Sequence, residues 1–131
     1  MSENTLTGAF ARYGARLVNR MWAYSAIAED GSFVFSCWKN FLKQQPNGSL
    51  RYEDKLSAWS TNRNGKELFR QHLRQAFVGK LRVRMVVATP RDPARIAARK
   101  EARSVPKTFS VREDLVGKVL EFDGDRFVIE F

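Results

Sequence analysis

Two stretches of the chain carry the same device: a run of aromatic and β-branched residues that turns back on an Asp-Gly pair. In the first, Trp22 to Ala28 and Ser32 to Trp38 flank Glu29-Asp30-Gly31. In the second, Leu115 to Phe122 and Arg126 to Phe131 flank Asp123-Gly124-Asp125. Glycine takes the positive φ that such turns demand, so Asp-Gly between apolar runs is the strongest local signal of an antiparallel hairpin. Strict alternation in the first hairpin would put Trp22, Tyr24, Ala26 and Ala28 on one face and Ala23, Ser25 and Ile27 on the other. Neither set is polar, so both faces are expected to be covered at least in part.

Between the hairpins the hydrophobic period changes. From Lys66 to Val78, Leu68, Phe69, Leu73, Ala76 and Phe77 recur at three- and four-residue spacings, which predicts one main helix. Asn64 or Thr61 is the expected cap and Gly79 the expected stop. Leu81 to Thr89 reads as a strand whose continuously apolar second half suits the middle of a sheet, ended by Pro90. Pro93 followed by Ala94 to Arg103 has the composition of a short second helix. Residues 43–65 contain Pro46-Asn47-Gly48 and Asn62-Arg63-Asn64-Gly65 and read as a long irregular connection with one helical turn near Asp54 to Trp59. The order points to an α+β fold: a strongly curved antiparallel or mixed sheet of about five or six strands, a half-open barrel, wrapped on the main helix. Phe33, Phe35, Phe69, Phe77, Phe122 and Phe127 are its expected core.

Composition bounds the function. The 131 residues are expected to form a single domain able to fold without disulfide or metal. Cys37 and His72 are the only residues of their kinds, which excludes disulfide frameworks and the usual Cys/His zinc sites. Without an apolar run of membrane-spanning length or a leader pattern, the expectation is a soluble cytoplasmic protein with no membrane partner. No cofactor and no metal are expected. The formal net charge is +9. Residues 108–131 carry three basic side chains against six acidic ones, and the first 107 carry 20 against eight, so a basic body at +12 adjoins an acidic hairpin at −3.

The basic residues form rows. Arg63, Lys66, Arg70 and Arg74 share one edge of the main helix, at spacings of three, four and four. Arg82 and Arg84 share one face of the following strand, opposite Leu81, Val83, Met85 and Val87. Arg91, Arg95, Arg99 and Arg103 recur every fourth residue. Guanidinium groups clamp phosphate with two hydrogen bonds or stack on bases, so these rows point to nucleic acid as the partner, with Trp38 or Trp59 available to stack a base. The expected combination of curled sheet, basic rim and aromatic pocket resembles in architecture the small barrels that read modified bases, the PUA-like, EVE and YTH families. No motif residue of those families occurs in the chain, and none is carried over.

Two rival readings are carried. In one, the protein is an accessory or inhibitor subunit, of the kind mobile elements encode, whose basic surface docks on an acidic protein or a nucleic-acid-processing complex. In the other, Glu53-Asp54-Lys55 with Asp30 upstream holds the cation of a metal-dependent nuclease. Short acidic patterns arise by chance in charged chains, so the leading expectation is a non-enzymatic binding domain with no catalytic residue. His72 reads as a partly buried structural histidine and Cys37 as a small buried hydrophobe.

Overall fold

The computed structural model describes residues 5–19, 21–59, 62–90 and 107–131. Among them the fold is α+β: two α-helices and two four-stranded sheets. The elements are α1 (Leu6–Arg12), β1 (Ser25–Ile27), β2 (Phe33–Trp38), β3 (Lys43–Gln44), β4 (Leu50–Lys55), α2 (Arg63–Gly79), β5 (Val83–Pro90), β6 (Lys107–Val111), β7 (Lys118–Phe122) and β8 (Arg126–Glu130). One sheet runs β1-β2-β5-β6 and the other β3-β4-β8-β7. The expected single curled sheet is thus two separate sheets, and neither closes into a barrel. They meet where Val83 and Gly117 exchange two backbone hydrogen bonds of 2.9 Å.

Both expected hairpins form. In the first, Ala26 faces Val34 across the ladder, Gly31 takes φ +88°, and the Asp30 carboxylate accepts the Ser32 N–H at 2.9 Å. Ala26 and Ala28 pack on one face and Ile27 on the other, as alternation requires. Ala23 and Tyr24 depart from the pattern, Ala23 packing in the cluster of Ala26 and Ala28. The strand begins only at Ser25, and Tyr24 packs with Ile27 against the α2 side of the sheet. In the second hairpin, Asp123 accepts from the N–H groups of Asp125 and Arg126, and the ladder slips between Val119 and Glu121.

The connection 43–65 is more ordered than its composition suggests. Lys43 pairs with Arg51 and Gln44 with Leu50 around the Pro46-Asn47-Gly48 turn, and β4 then pairs with β8 along its length. Leu50 and Tyr52 face the core while Arg51 and Glu53 reach salt-bridge partners Glu130 and Arg126 on β8. The anticipated helical turn is a 3₁₀ turn at Leu56–Ala58, anchored by fully buried Leu56. Helix α2 starts one turn before the expected position. Its cap is Asn62, in the left-handed region at φ +55°, whose side chain accepts from Gly65 N at 3.1 Å and donates to the Trp22 carbonyl at 2.8 Å. Gly79 stays inside the helix, and Lys80 at φ +52° ends it.

β2 and β5 run parallel in the middle of their sheet, and both faces of that sheet are covered. Phe33, Phe35, Cys37, Val83, Met85 and Val87 face α2 and the second sheet. Val34 and Val86 face Ala9 and Phe10 of α1. This double cover explains the unbroken apolar run of β5. Phe69 of α2 is the hub, with the rings of Tyr24, Phe33, Phe35, Trp59 and Phe127 between 5.4 and 5.8 Å from its own. The buried strip of α2 is Gly65, Phe69, Leu73 and Ala76. Phe77 lies one residue beyond that strip and is exposed, contrary to its expected place in the core, while Phe122 is only partly buried. The expected helix over 93–103 lies outside the described residues.

Candidate nucleic-acid interface

The strip that α2 buries fixes the face it shows to solvent. At 100° per residue, the direction opposite Phe69 and Leu73 is taken by Asn64, Glu67, Gln71, Arg74 and Val78, flanked by Arg63 and Arg70 on one side and Gln75 on the other. Val78 is 76% exposed.

The cations of this helix are not equivalent. The Lys66 ammonium donates to the Trp59 carbonyl at 3.1 Å, tying the helix to the preceding turn. Arg70 turns toward the C-terminal hairpin, where its Nε donates to the Gly124 carbonyl at 3.0 Å while the guanidinium pairs with Glu67. That pairing holds the Glu67 carboxyl below the usual carboxylate range. The Arg74 guanidinium stands 5.5 Å from the Phe122 ring centre, and the residue is exposed. Arg63, in the first turn, is exposed.

The second expected row is built into the other side of the molecule. Arg82 and Arg84 do share a face, but it is the α1 face of the sheet, away from α2. Arg84 lies 4.7 Å above the Tyr13 ring and donates to the Glu113 carbonyl at 2.9 Å. The Tyr13 hydroxyl donates to the Met85 carbonyl and accepts from Arg112 N–H, so the stack rests on a fixed ring. Arg82 pairs with Asp30 at 3.1 Å. The two rows therefore do not merge into one surface. Arg91, Arg95 and Arg99 lie outside the described residues.

The aromatic pair does not assemble into a pocket either. Trp59 stacks on Phe69 at the margin of the core, and its indole N–H donates to Asp54 at 2.9 Å. Trp22 packs in the cluster on the other face of the sheet. Trp38, at the end of β2, belongs to neither cluster and lies beneath the Lys107 ammonium, 5.7 Å from its ring centre. Burial pushes the Lys107 amine down from its ordinary value.

The acidic residues are engaged elsewhere. Glu121 and Glu53 bracket Arg126 at 2.9 Å each, Glu130 pairs with Arg51, Asp114 with Arg112, and Glu113 with Arg12. Asp125 accepts from the Ser57 N–H and hydroxyl. Asp30, in a turn of the first sheet, and Glu53, on the second, are not brought together, and Asp54 is taken by the Trp59 indole. Among the described residues, no group of three or more His, Cys, Asp or Glu side chains is placed to hold a metal ion. No described helix is long and apolar enough to cross a membrane.

Ser25 and His72 form a part-buried pair, Oγ to Nδ1 2.8 Å, with Ser25 at 1% exposure. Desolvation lowers the imidazole from its ordinary value. Both residues face the core, which makes the pair a packing contact that satisfies two polar groups. Gln71 and Gln75 were not singled out by the arginine pattern, although they follow Arg70 and Arg74 at the same four-residue spacing. Comparison with protein families, with curated proteins and with solved structures finds no match for this chain.

Proposed function

We propose that the protein binds nucleic acid through the solvent face of α2, with Arg63 and Arg74 as the phosphate contacts and Arg70 as the strut that fixes the helix beside the C-terminal hairpin. One observation carries this reading. Every carboxylate of the acidic hairpin is engaged by a partner off α2, so Glu67 is the only acid on the helix and Arg70 already matches it. Arg63 and Arg74 are left exposed to solvent, and neither forms a salt bridge with any described residue. A surface of this sign attracts a polyanion, and the planar guanidinium suits phosphate better than an ammonium does.

Fluorescence anisotropy of labelled single- and double-stranded DNA and RNA, at about 50 and 200 mM salt, tests the reading. Affinity should fall steeply with salt, and Arg63→Ala with Arg74→Ala together should lower the slope of log K against log salt by up to about two. Absence of binding at the lower salt, or an affinity indifferent to salt, refutes it.

A further inference from the structure

We infer that α2 is a reading helix, which enters the major groove of duplex DNA and contacts base edges through Asn64, Gln71 and Gln75 beside Arg74. The inference rests on the nucleic-acid reading above and names its substrate class. It begins from a property of the α2 face that phosphate binding does not explain. A surface made only to hold phosphate needs cations. The solvent face of α2 instead alternates cations with carboxamides, Asn64, Gln71 and Gln75, whose side chains are exposed and make no hydrogen bond with any described residue. A carboxamide has a donor and an acceptor at fixed spacing, which matches N6 and N7 of adenine, as a guanidinium matches O6 and N7 of guanine. Val78, exposed at the far end of the same face, offers a methyl contact of the kind thymine accepts.

Shape selects the duplex. An α-helix with its side chains is about 10–12 Å across and fits the B-form major groove, about 12 Å wide. The major groove of A-form RNA is too deep and narrow to admit it. The 17 residues of α2 span about 25 Å, long enough for the face from Asn64 to Val78 to follow the groove over several base pairs. Its position within the fold is rigid. Phe69 and Leu73 seat it in the core, Asn62 ties its start to the Trp22 carbonyl, and Arg70 ties its middle to Gly124. A reading element has to be held in this way, because base-edge hydrogen bonds discriminate only when their geometry is fixed.

The test is selection of a preferred duplex from a randomised pool by the full chain, followed by titration of that duplex and a shuffled one. The preferred duplex should bind at least about five-fold more tightly for each bidentate contact made. The variant carrying Gln71→Ala and Gln75→Ala should bring the affinity for the selected duplex down toward that for the shuffled one. Because both side chains are exposed and make no hydrogen bond with any described residue, this variant should keep the wild-type melting temperature, which separates lost recognition from lost folding. Duplexes bound without preference, a preference that survives the double substitution, or tighter binding to single strands or RNA duplex would overturn the inference and leave phosphate binding standing. Failure to bind any nucleic acid at low salt would overturn both.

Discussion

The division of labour between Arg70 and Arg74 makes a quantitative prediction. Arg70 reaches the Gly124 carbonyl at 3.0 Å with a side chain that is 28% exposed, and its charge is matched by Glu67. Replacing both members of the pair, Glu67→Gln with Arg70→Gln, leaves the net charge of the helix face unchanged and removes the strut. A charge-assisted hydrogen bond at a buried site is worth about 1.5–3 kcal/mol. Partial exposure and the weak worth of a surface ion pair reduce this to about 1 kcal/mol, or about 3–5 °C in melting temperature for a chain of this length. The ratio of affinities at about 50 and 200 mM salt should stay at its wild-type value. Arg74→Ala should do the reverse. It gives up only an exposed cation–π contact of about 0.5 kcal/mol, but loses one phosphate contact and so lowers that salt ratio about 3.5-fold. Calorimetry and anisotropy on the same preparations provide both readouts. If the paired substitution lowers the salt ratio as much as Arg74→Ala does, Arg70 is a contact residue and the distinction drawn from its geometry is wrong.

Other perturbations probe the scaffold. Phe69→Ala removes the hub of five ring contacts and should cost about 3–5 kcal/mol in urea unfolding, with altered Trp59 emission; a loss under about 1.5 kcal/mol would show that the hub is not the centre of the core. His72 is held below its ordinary value by burial, so the unfolded chain takes up its proton first as the pH falls; stability should be full above about pH 6.5 and decline below it, a dependence that His72→Gln should flatten in urea midpoints measured from about pH 7.5 to 5. Cys37 is fully enclosed, with its thiol pushed up to about 12, so it should resist thiol reagents until the protein unfolds; rapid native-state labelling would contradict its placement.

The parts of the fold that were legible in the sequence are those whose cause is local. An Asp-Gly pair specifies its turn within a few residues, and the Phe69, Leu73 and Ala76 spacing specifies α2 within three turns. The parts that were not legible depend on distant partners. Helix α1 spans seven residues, below the length at which a helix holds itself, and includes Gly8; it exists because Ala9 and Phe10 fill the outer face of the sheet beside Val34 and Val86. Strand β4 reads as polar because its outward residues are charged, and it is a strand because Glu130 and Arg126 of β8 lie opposite those charges. β6, whose pattern is weak, is placed by its pairing with β5.

The same distinction governs the candidate interface. Helical periodicity aligned Arg63, Lys66, Arg70 and Arg74 correctly, but it could not tell which of them the fold consumes, because the Trp59 and Gly124 carbonyls that engage Lys66 and Arg70 are set by tertiary structure. Net charge by segment misleads for a related reason. The −3 of residues 108–131 suggests a hairpin that would neutralise or repel whatever the basic body attracts. In the fold its carboxylates are directed to Arg12, Arg51, Arg112, Arg126 and Ser57 and to the turn at Asp123, none of them on α2. What this hairpin sets against α2 includes the Phe122 and Phe127 rings and the Gly124 carbonyl, all uncharged. The acidic segment therefore braces the basic helix through uncharged groups, and that role lies in the direction of six side chains, which a sum over residues does not contain.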